Sequence, residues 1–323
     1  MKTLKNDWKL GAAVGTALSL GSAGAIAGPH GFDLHNVFHG ASASMAGTSI
    51  AHVEDPVSAV FGNPATLTTY YGGTNFMFGA TFYMPRATMK HDGSAGHAVA
   101  NTGGAFTTMN ETAQGSAAAS FNFDATSKAD VYAVPTVAVT QDLSGLGIPV
   151  VLGVGVSATS GIGVDYKHSS NSLGAAAELI NLGVNAGIGM KMSDTMDVGV
   201  SMTITYAMLE AGLTGSGGMT HDLGFRGTLG VRNKISDATT VALYYQTEQE
   251  HQYDNLHVTS MHGTQPFAAL SSYSAAHGKT GSVICNADVV TSNTGVCRQD
   301  VEVEQPWNLG LGISHNLDAN TLV

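Results

Sequence analysis

The chain predicts an all-β fold: a transmembrane antiparallel β-barrel preceded by a small N-terminal hatch, or plug. Three observations point there. Long segments alternate between apolar residues and Gly, Ser, Thr or Asn. Only 11% of the 323 residues are charged, against about 25% in ordinary soluble domains. Short polar turns join the segments on one side, and longer connections join them on the other.

The alternation is the physical core of the case. Ile180, Leu182, Val184, Ala186, Ile188, Met190 and Met192 alternate with Asn181, Gly183, Asn185, Gly187, Gly189 and Lys191. Val198, Val200, Met202, Ile204 and Tyr206 alternate with Gly199, Ser201, Thr203, Thr205 and Ala207. Successive side chains of a strand point to opposite faces, so each segment has one apolar face and one small or polar face. The pattern predicts about eight strands, over roughly 74–85, 131–141, 148–166, 179–192, 196–209, 222–234, 239–250 and 302–315. Most are long enough for a tilted strand to cross a bilayer core. A soluble sandwich would carry charge on its outward face, and these segments do not. Gly153, Gly155, Gly183, Gly187, Gly189, Gly199, Gly224 and Gly230 share the polar face and leave volume over it.

Composition excludes other classes. There are 41 glycines and 43% hydrophobic residues, with a mean hydropathy of +0.09. Barrel strands, half apolar and half polar, produce this mixture. The net charge of −11 and the scattered Lys and Arg leave nothing to neutralise a phosphate backbone, so nucleic acid is not a partner.

The turns Ser193-Asp194-Thr195, Ser236-Asp237-Ala238 and Asp142–Gly147 are short, whereas Arg86–Asp130 and Asp254–Asp300 are long. In outer-membrane barrels the short turns face the periplasm and the long loops face outward.

The N-terminus agrees with export. Lys2, Lys5 and Lys9 precede an apolar run, Leu10–Leu20, and a small-x-small site at Ala25-Ile26-Ala27. The run is shorter than the ~20 residues of a spanning helix and reads as a signal peptide. The organisation is therefore a signal peptide over 1–27, a hatch over 28–72 and a partial barrel over 73–323, destined for the bacterial outer membrane.

The hatch segment, Gly31–Tyr71, lacks strand alternation and contains two capped turns. Asp55 can cap a helix beginning at Pro56, whose missing N–H would go unpaired there in any case. Asn63, Pro64 and Ala65 repeat the arrangement, with Phe61 placed to pack on the inner wall. These residues carry a resemblance. Gly31-Phe32 through Gly40, Met45-Ala46-Gly47, Asp55–Phe61 and Asn63–Leu67 together resemble the start of the FadL/TodX outer-membrane transport family. Gly155–Tyr166 resembles that family's third strand, with Thr159-Ser160 where a Pro often precedes its Gly. Val301–Asn316 resembles a late strand, with Gln305-Pro306 at its entry.

The resemblance implies a barrel of roughly fourteen strands with a plugged lumen. It implies passive transport of long-chain fatty acids or related hydrophobic compounds, with outer-membrane lipid around a monomeric barrel and no cofactor. Gly28 and Phe32 are the implied gate and ligand contacts. A kinked third strand, here at Ser160, Gly161 and Gly163, is the implied lateral opening. With about eight strands and no terminal aromatic residue, the chain is expected to be a fragment lacking C-terminal strands. The rival to a fragment is a complete small eight-stranded barrel, which would have little room for such a hatch. The rival function is a structural or adhesin-like barrel that binds an external partner by its long loops.

No enzyme is expected: the chain lacks a Gly-x-Ser-x-Gly elbow, a phosphate loop and a His-Glu-x-x-His helix. The 13 histidines match no zinc spacing, and no metal is expected. Cys285 and Cys297 lie in the long loop after the seventh strand. An exported chain meets an oxidising compartment, so they read as one disulfide, with two free thiols as the alternative.

Overall fold

The structure is a computed structural model and describes residues 32–33, 41–42, 48–84, 86–91, 123–129, 131–166, 168, 176–210, 216–217, 219–258, 284–285, 297–317 and 321. Its strands are β1 (Phe32–Asp33), β2 (Thr74–Tyr83), β3 (Thr88–His91), β4 (Phe123–Thr126), β5 (Tyr132–Asp142), β6 (Val150–Asp165), β7 (Ala176–Lys191) and β8 (Met196–Glu210). They continue with β9 (Ser216–Gly217), β10 (Met219–Lys234), β11 (Thr239–Gln246), β12 (Gln249–Val258), β13 (Ile284–Cys285), β14 (Cys297–Gln305) and β15 (Asn308–His315). Between β1 and β2 lie a helix, α1 (Pro56–Phe61), and a 3₁₀ segment, Pro64–Tyr70.

Eight strands form one antiparallel wall in the order β15-β11-β10-β8-β7-β6-β5-β2, with β1 added on β6. Among the described residues the wall is an open sheet. Strand β2 pairs only with β5, and β15 only with β11. No described helix is long and apolar enough to cross a membrane, and that says nothing of strands.

The wall is inverted relative to a soluble sheet. Phe225 is 59% exposed, while Arg226 beside it is 5% exposed. Val184, Ile188, Val200, Met202, Ile204, Leu229, Leu309 and Leu311 face outward, and Asn181, Asn185, Ser201, Thr203, Thr205 and Thr228 are buried on the other face. Alternation places the two sets on opposite sides. An apolar exterior over a polar interior is what a lipid-facing wall requires.

Two expected strands divide. The seventh leaves the wall after Gln246, which pairs with Asn308. The ladder resumes at Gln249, now paired with Gln305 in a separate sheet, β13-β14-β12-β9. Pro306 lacks the N–H needed to continue a ladder. Opposite it, Thr247 turns back to β10: its N–H donates to the Gly227 carbonyl at 2.9 Å, and its hydroxyl accepts from Gly227 N–H at 3.1 Å. The connection Arg86–Asp130, read as loop, contains the antiparallel β3–β4 pair.

The apolar core lies inside the wall. Val53, Val57, Val60, Phe61 and Leu67 pack against Ala138 of β5 and Val151 of β6. A second cluster joins Leu179, Ala207 and Leu209 of the wall to Tyr253, with Val301 and Val303 against it.

Candidate functional site

The helical segment begins at Asp55. Its Oδ1 accepts from Ser58 N–H at 2.7 Å, and its Oδ2 accepts from the Ser58 hydroxyl at 3.0 Å. This satisfies a donor that the first helical turn otherwise leaves open. Pro56 occupies the first turn, where its missing N–H costs nothing. Helix α1 ends at Gly62, whose N–H donates to the Ser58 carbonyl at 2.9 Å. Asn63 then restarts the chain. Its Oδ1 accepts from Ala65 N–H at 3.1 Å, and its Nδ2 donates to the Ile50 carbonyl at 3.0 Å.

Wall glycines receive this segment. A Cβ on Gly153 would lie 2.8 Å from Val60 Cγ2, and one on Gly155 would lie 3.1 Å from Phe61 Cε2. One on Gly189 would lie 2.8 Å from the Pro64 carbonyl oxygen. Beneath Pro64 and Asn63, Gly199 and Gly230 leave no space for any side chain. Gly189 and Gly199 thus let the segment's backbone approach the wall's, while Gly153, Gly155 and Gly230 admit its side chains.

Polar side chains complete the attachment. Asn185 Nδ2 donates to the Val60 carbonyl at 2.9 Å. Arg232 donates from Nε to Asp197 Oδ2 at 2.9 Å, and its other two nitrogens donate to the Thr69 and Thr68 hydroxyls at 2.9 and 2.8 Å. One buried guanidinium therefore ties the wall to the 3₁₀ segment. Sequence reading did not single out Arg232 and Asp197. The available signal was their place on the Gly/Thr face of alternating strands, where a charge must be paired.

Strand β6 holds the second part of the site. Its register against β7 shifts between Ala158 and Ser160, so Thr159 is the extra residue of a bulge. This falls one residue before the expected kink positions. Ser160 Oγ accepts from Asn181 Nδ2 and from Gln305 Nε2, both at 2.6 Å. Strand β1 pairs here: Phe32 is opposite Gly161, and Asp33 is opposite Ser160. Two separately expected features, the N-terminal contact and the third-strand irregularity, therefore adjoin. Gly163 has a packing role, since a Cβ there would lie 2.8 Å from Tyr132 Cζ.

Gly28 and the signal-peptide residues lie outside the described residues. Cys285 and Cys297 are opposite each other in the β13–β14 ladder. Among the described residues no group of three or more His, Cys, Asp or Glu is placed to hold a metal.

A wall that is apolar outside and polar inside, with an N-terminal segment packed on its polar face, has the two-faced construction of a membrane β-barrel. The solved structures it is similar to in fold are FadL/TodX barrels. The structure matches the P. putida toluene transporter TodX at a TM-score of 0.51 and 18% identity, covering 86% of this chain and 66% of that chain. It matches a Pseudomonas aeruginosa FadL homologue at a TM-score of 0.51 and 10% identity, covering 84% and 63%. A deletion mutant of TodX, described as a monoaromatic hydrocarbon channel, matches at 0.51 and 15%, covering 91% and 68%. This chain therefore spans about two thirds of the length of these proteins. No protein-family model matches the sequence, and no curated protein does.

Proposed function

We propose that the chain is the plug-bearing part of an outer-membrane channel that passes hydrophobic compounds without an energy source. The observation that carries this reading is the pairing of Phe32 and Asp33 with Gly161 and Ser160 at the β6 bulge. In this reading residues 28–72 are the plug, with Asp55, Pro56, Phe61, Asn63, Pro64 and Ala65 forming its folded centre. Gly28 and Phe32 gate the lumen, and the wall at Ser160, Gly161 and Gly163 is where a ligand leaves sideways into the membrane.

The energetics support passive capture. A hydrocarbon chain gains about 0.8 kcal/mol for each CH₂ withdrawn from water. An apolar ligand needs only a dry pocket and a lipid destination. The ligand class is a long-chain fatty acid or a monoaromatic hydrocarbon, and the names of the solved neighbours favour the aromatic.

The test is uptake of radiolabelled oleate and toluene by cells producing the full-length protein. Deleting residues 28–33, or replacing Gly161 by Pro to break the β1–β6 pairing, is expected to change uptake of one ligand severalfold. If the full-length protein neither binds nor passes either ligand, the channel reading fails.

A further inference from the structure

We propose that β12 and β14 form a displaceable strap across the polar face of the wall, with unsatisfied polar groups on its underside that make its closed position shallow. The strap is the antiparallel pair β12–β14; β12 leaves the wall after Thr247-Glu248, and β14 leads back to it through Pro306-Trp307. These two breaks lie side by side, between the Gln246–Asn308 and Gln249–Gln305 pairs, and form a natural hinge.

The strap crosses four wall strands. Gln305 Nε2 donates to Ser160 Oγ on β6 at 2.6 Å, close to Asn181 of β7. Gln249 Oε1 accepts from the Thr205 hydroxyl of β8 at 3.4 Å. On β10, Asp222 Oδ2 accepts from Gln252 N–H at 2.9 Å, and the Thr220 hydroxyl donates to the Asp254 carbonyl at 3.1 Å. Gly224 admits the strap: a Cβ there would lie 2.7 Å from Gln249 Nε2 and would overlap the His251 ring. Tyr253 anchors it against Leu179, Ala207 and Leu209.

The underside is otherwise poorly satisfied. Gln249, His251 and Tyr253 are buried, with exposures of 2%, 0% and 0%. Gln249 Nε2, both His251 ring nitrogens, Tyr253 OH and Gln305 Oε1 make no hydrogen bond to any described residue. Opposite them, the Oδ1 of Asn181 is in the same condition. His251 Nδ1 stands 3.5 Å from Asp222 Oδ2, at the outer limit of a hydrogen bond. Apart from that one long contact, each such group gives up hydration under the strap without gaining a hydrogen bond to the protein. Lifting the strap returns water to all of them. The wall also carries orphaned side-chain atoms, at Thr140, Ser157, Asn185, Ser201 and Thr228. Its strands, however, are joined by continuous backbone ladders, whereas the strap is held to β6, β8 and β10 by a few isolated hydrogen bonds. Elements held this way belong to the low-stability end of a structure. For a channel, a strap latched to Ser160 couples its own opening to the β6 bulge. That consequence rests on the channel reading, but the strap itself does not.

The test is hydrogen–deuterium exchange on the full-length protein in micelles, read by mass spectrometry without any ligand. Peptides covering 249–254 and 300–305 are expected to exchange at least about tenfold faster than those covering 181–190 and 201–207. The double variant His251→Leu/Tyr253→Phe removes three orphaned atoms and keeps the ring of Tyr253. It is expected to slow strap exchange by about tenfold and leave the wall unchanged. Strap exchange as slow as the wall's overturns the proposal. So does unchanged or faster strap exchange in the double variant, because the polar groups would then be partners rather than liabilities. If the double variant does not fold, the comparison within the unmodified protein decides. Uptake is not read, so failure of the channel reading leaves this test intact.

Discussion

Arg232 and Asp197 face each other across neighbouring strands of the wall, with Nη2 2.8 Å from Oδ2 and both side chains almost wholly buried. The same guanidinium reaches the hydroxyls of Thr68 and Thr69. A single ion pair thus serves two elements far apart in sequence. Its Coulomb attraction offsets a desolvation cost that neither charge could bear alone.

Breaking this pair is expected to be expensive. Asp197→Ala leaves Arg232 buried with two hydroxyls as acceptors, and should lower stability by about 3–5 kcal/mol in urea unfolding of the micelle-bound protein. Adding Arg232→Met should restore part of that loss, because no unpaired charge remains. A double variant as unstable as Asp197→Ala would show that the guanidinium stabilises by its contacts to Thr68 and Thr69.

Gly199 is the contact point for the 3₁₀ segment, and a Cβ there would lie 2.5 Å from Ala65 N. Backbone cannot move aside as a flexible side chain can. Gly199→Val is expected to cost at least about 1–3 kcal/mol and to speed amide exchange over Val57–Leu67. Gly227→Val is the control: its nearest neighbour is Thr247 Cγ2 at 3.7 Å, an ordinary contact. Equal effects at the two positions would remove the case that the segment sits on the wall as described.

The caps of the helical segment should be separable. Asp55→Ala removes the acceptor for Ser58 N–H and is expected to cost about 1 kcal/mol. Asn63→Ala also strands the Ile50 carbonyl, which Asn63 Nδ2 serves, and should cost more. Thermal unfolding of both variants in one detergent checks the order.

The register of β13 and β14 sets Cys285 opposite Cys297. Opposed residues of an antiparallel pair have Cα atoms about 4.5–5.5 Å apart, within the range a disulfide spans. We expect no alkylation of either cysteine until a reductant is added, and alkylation of both afterwards. Reduction should cost at most about 3 kcal/mol. Ready alkylation of the unreduced protein would return the pair to free thiols.

Asp142 supplies a pH-dependent turn. The Ser144 N–H, then the Ser144 hydroxyl and the Gly72 N–H, hold its carboxyl below the usual carboxylate value. The charged form is therefore favoured in the folded state. Its contribution is present above the unfolded value of about 3.9 and is lost as pH falls through the lower folded value. The NMR shifts of the Gly72 and Ser144 amides should titrate together in that acidic window and stay flat in Asp142→Asn.

Much of the wall was legible in the residues. Alternation in Ile180–Met192 assigns each side chain to a face without knowledge of any partner. Asp55-Pro56 and Asn63-Pro64 announce their caps because the donors they satisfy lie two or three residues away. The division of the seventh strand was hidden, because Gln249, His251 and Tyr253 keep the same period after the chain has left the wall. Periodicity reports that a segment is a strand, not which sheet it joins. Thr159 as the bulge residue was equally silent, since a bulge is defined by the strand opposite.

By itself, then, the sequence determined a two-faced antiparallel wall and a capped N-terminal segment. Both follow from dihedral preferences and side-chain periods that act within a few residues. Only the tertiary structure decided that Asn185 holds Val60, that Arg232 holds Thr68, that Phe32 lies on Gly161, and that Gln305 crosses to Ser160. Those contacts span more than a hundred residues. They depend on strand order and register, which no local pattern encodes.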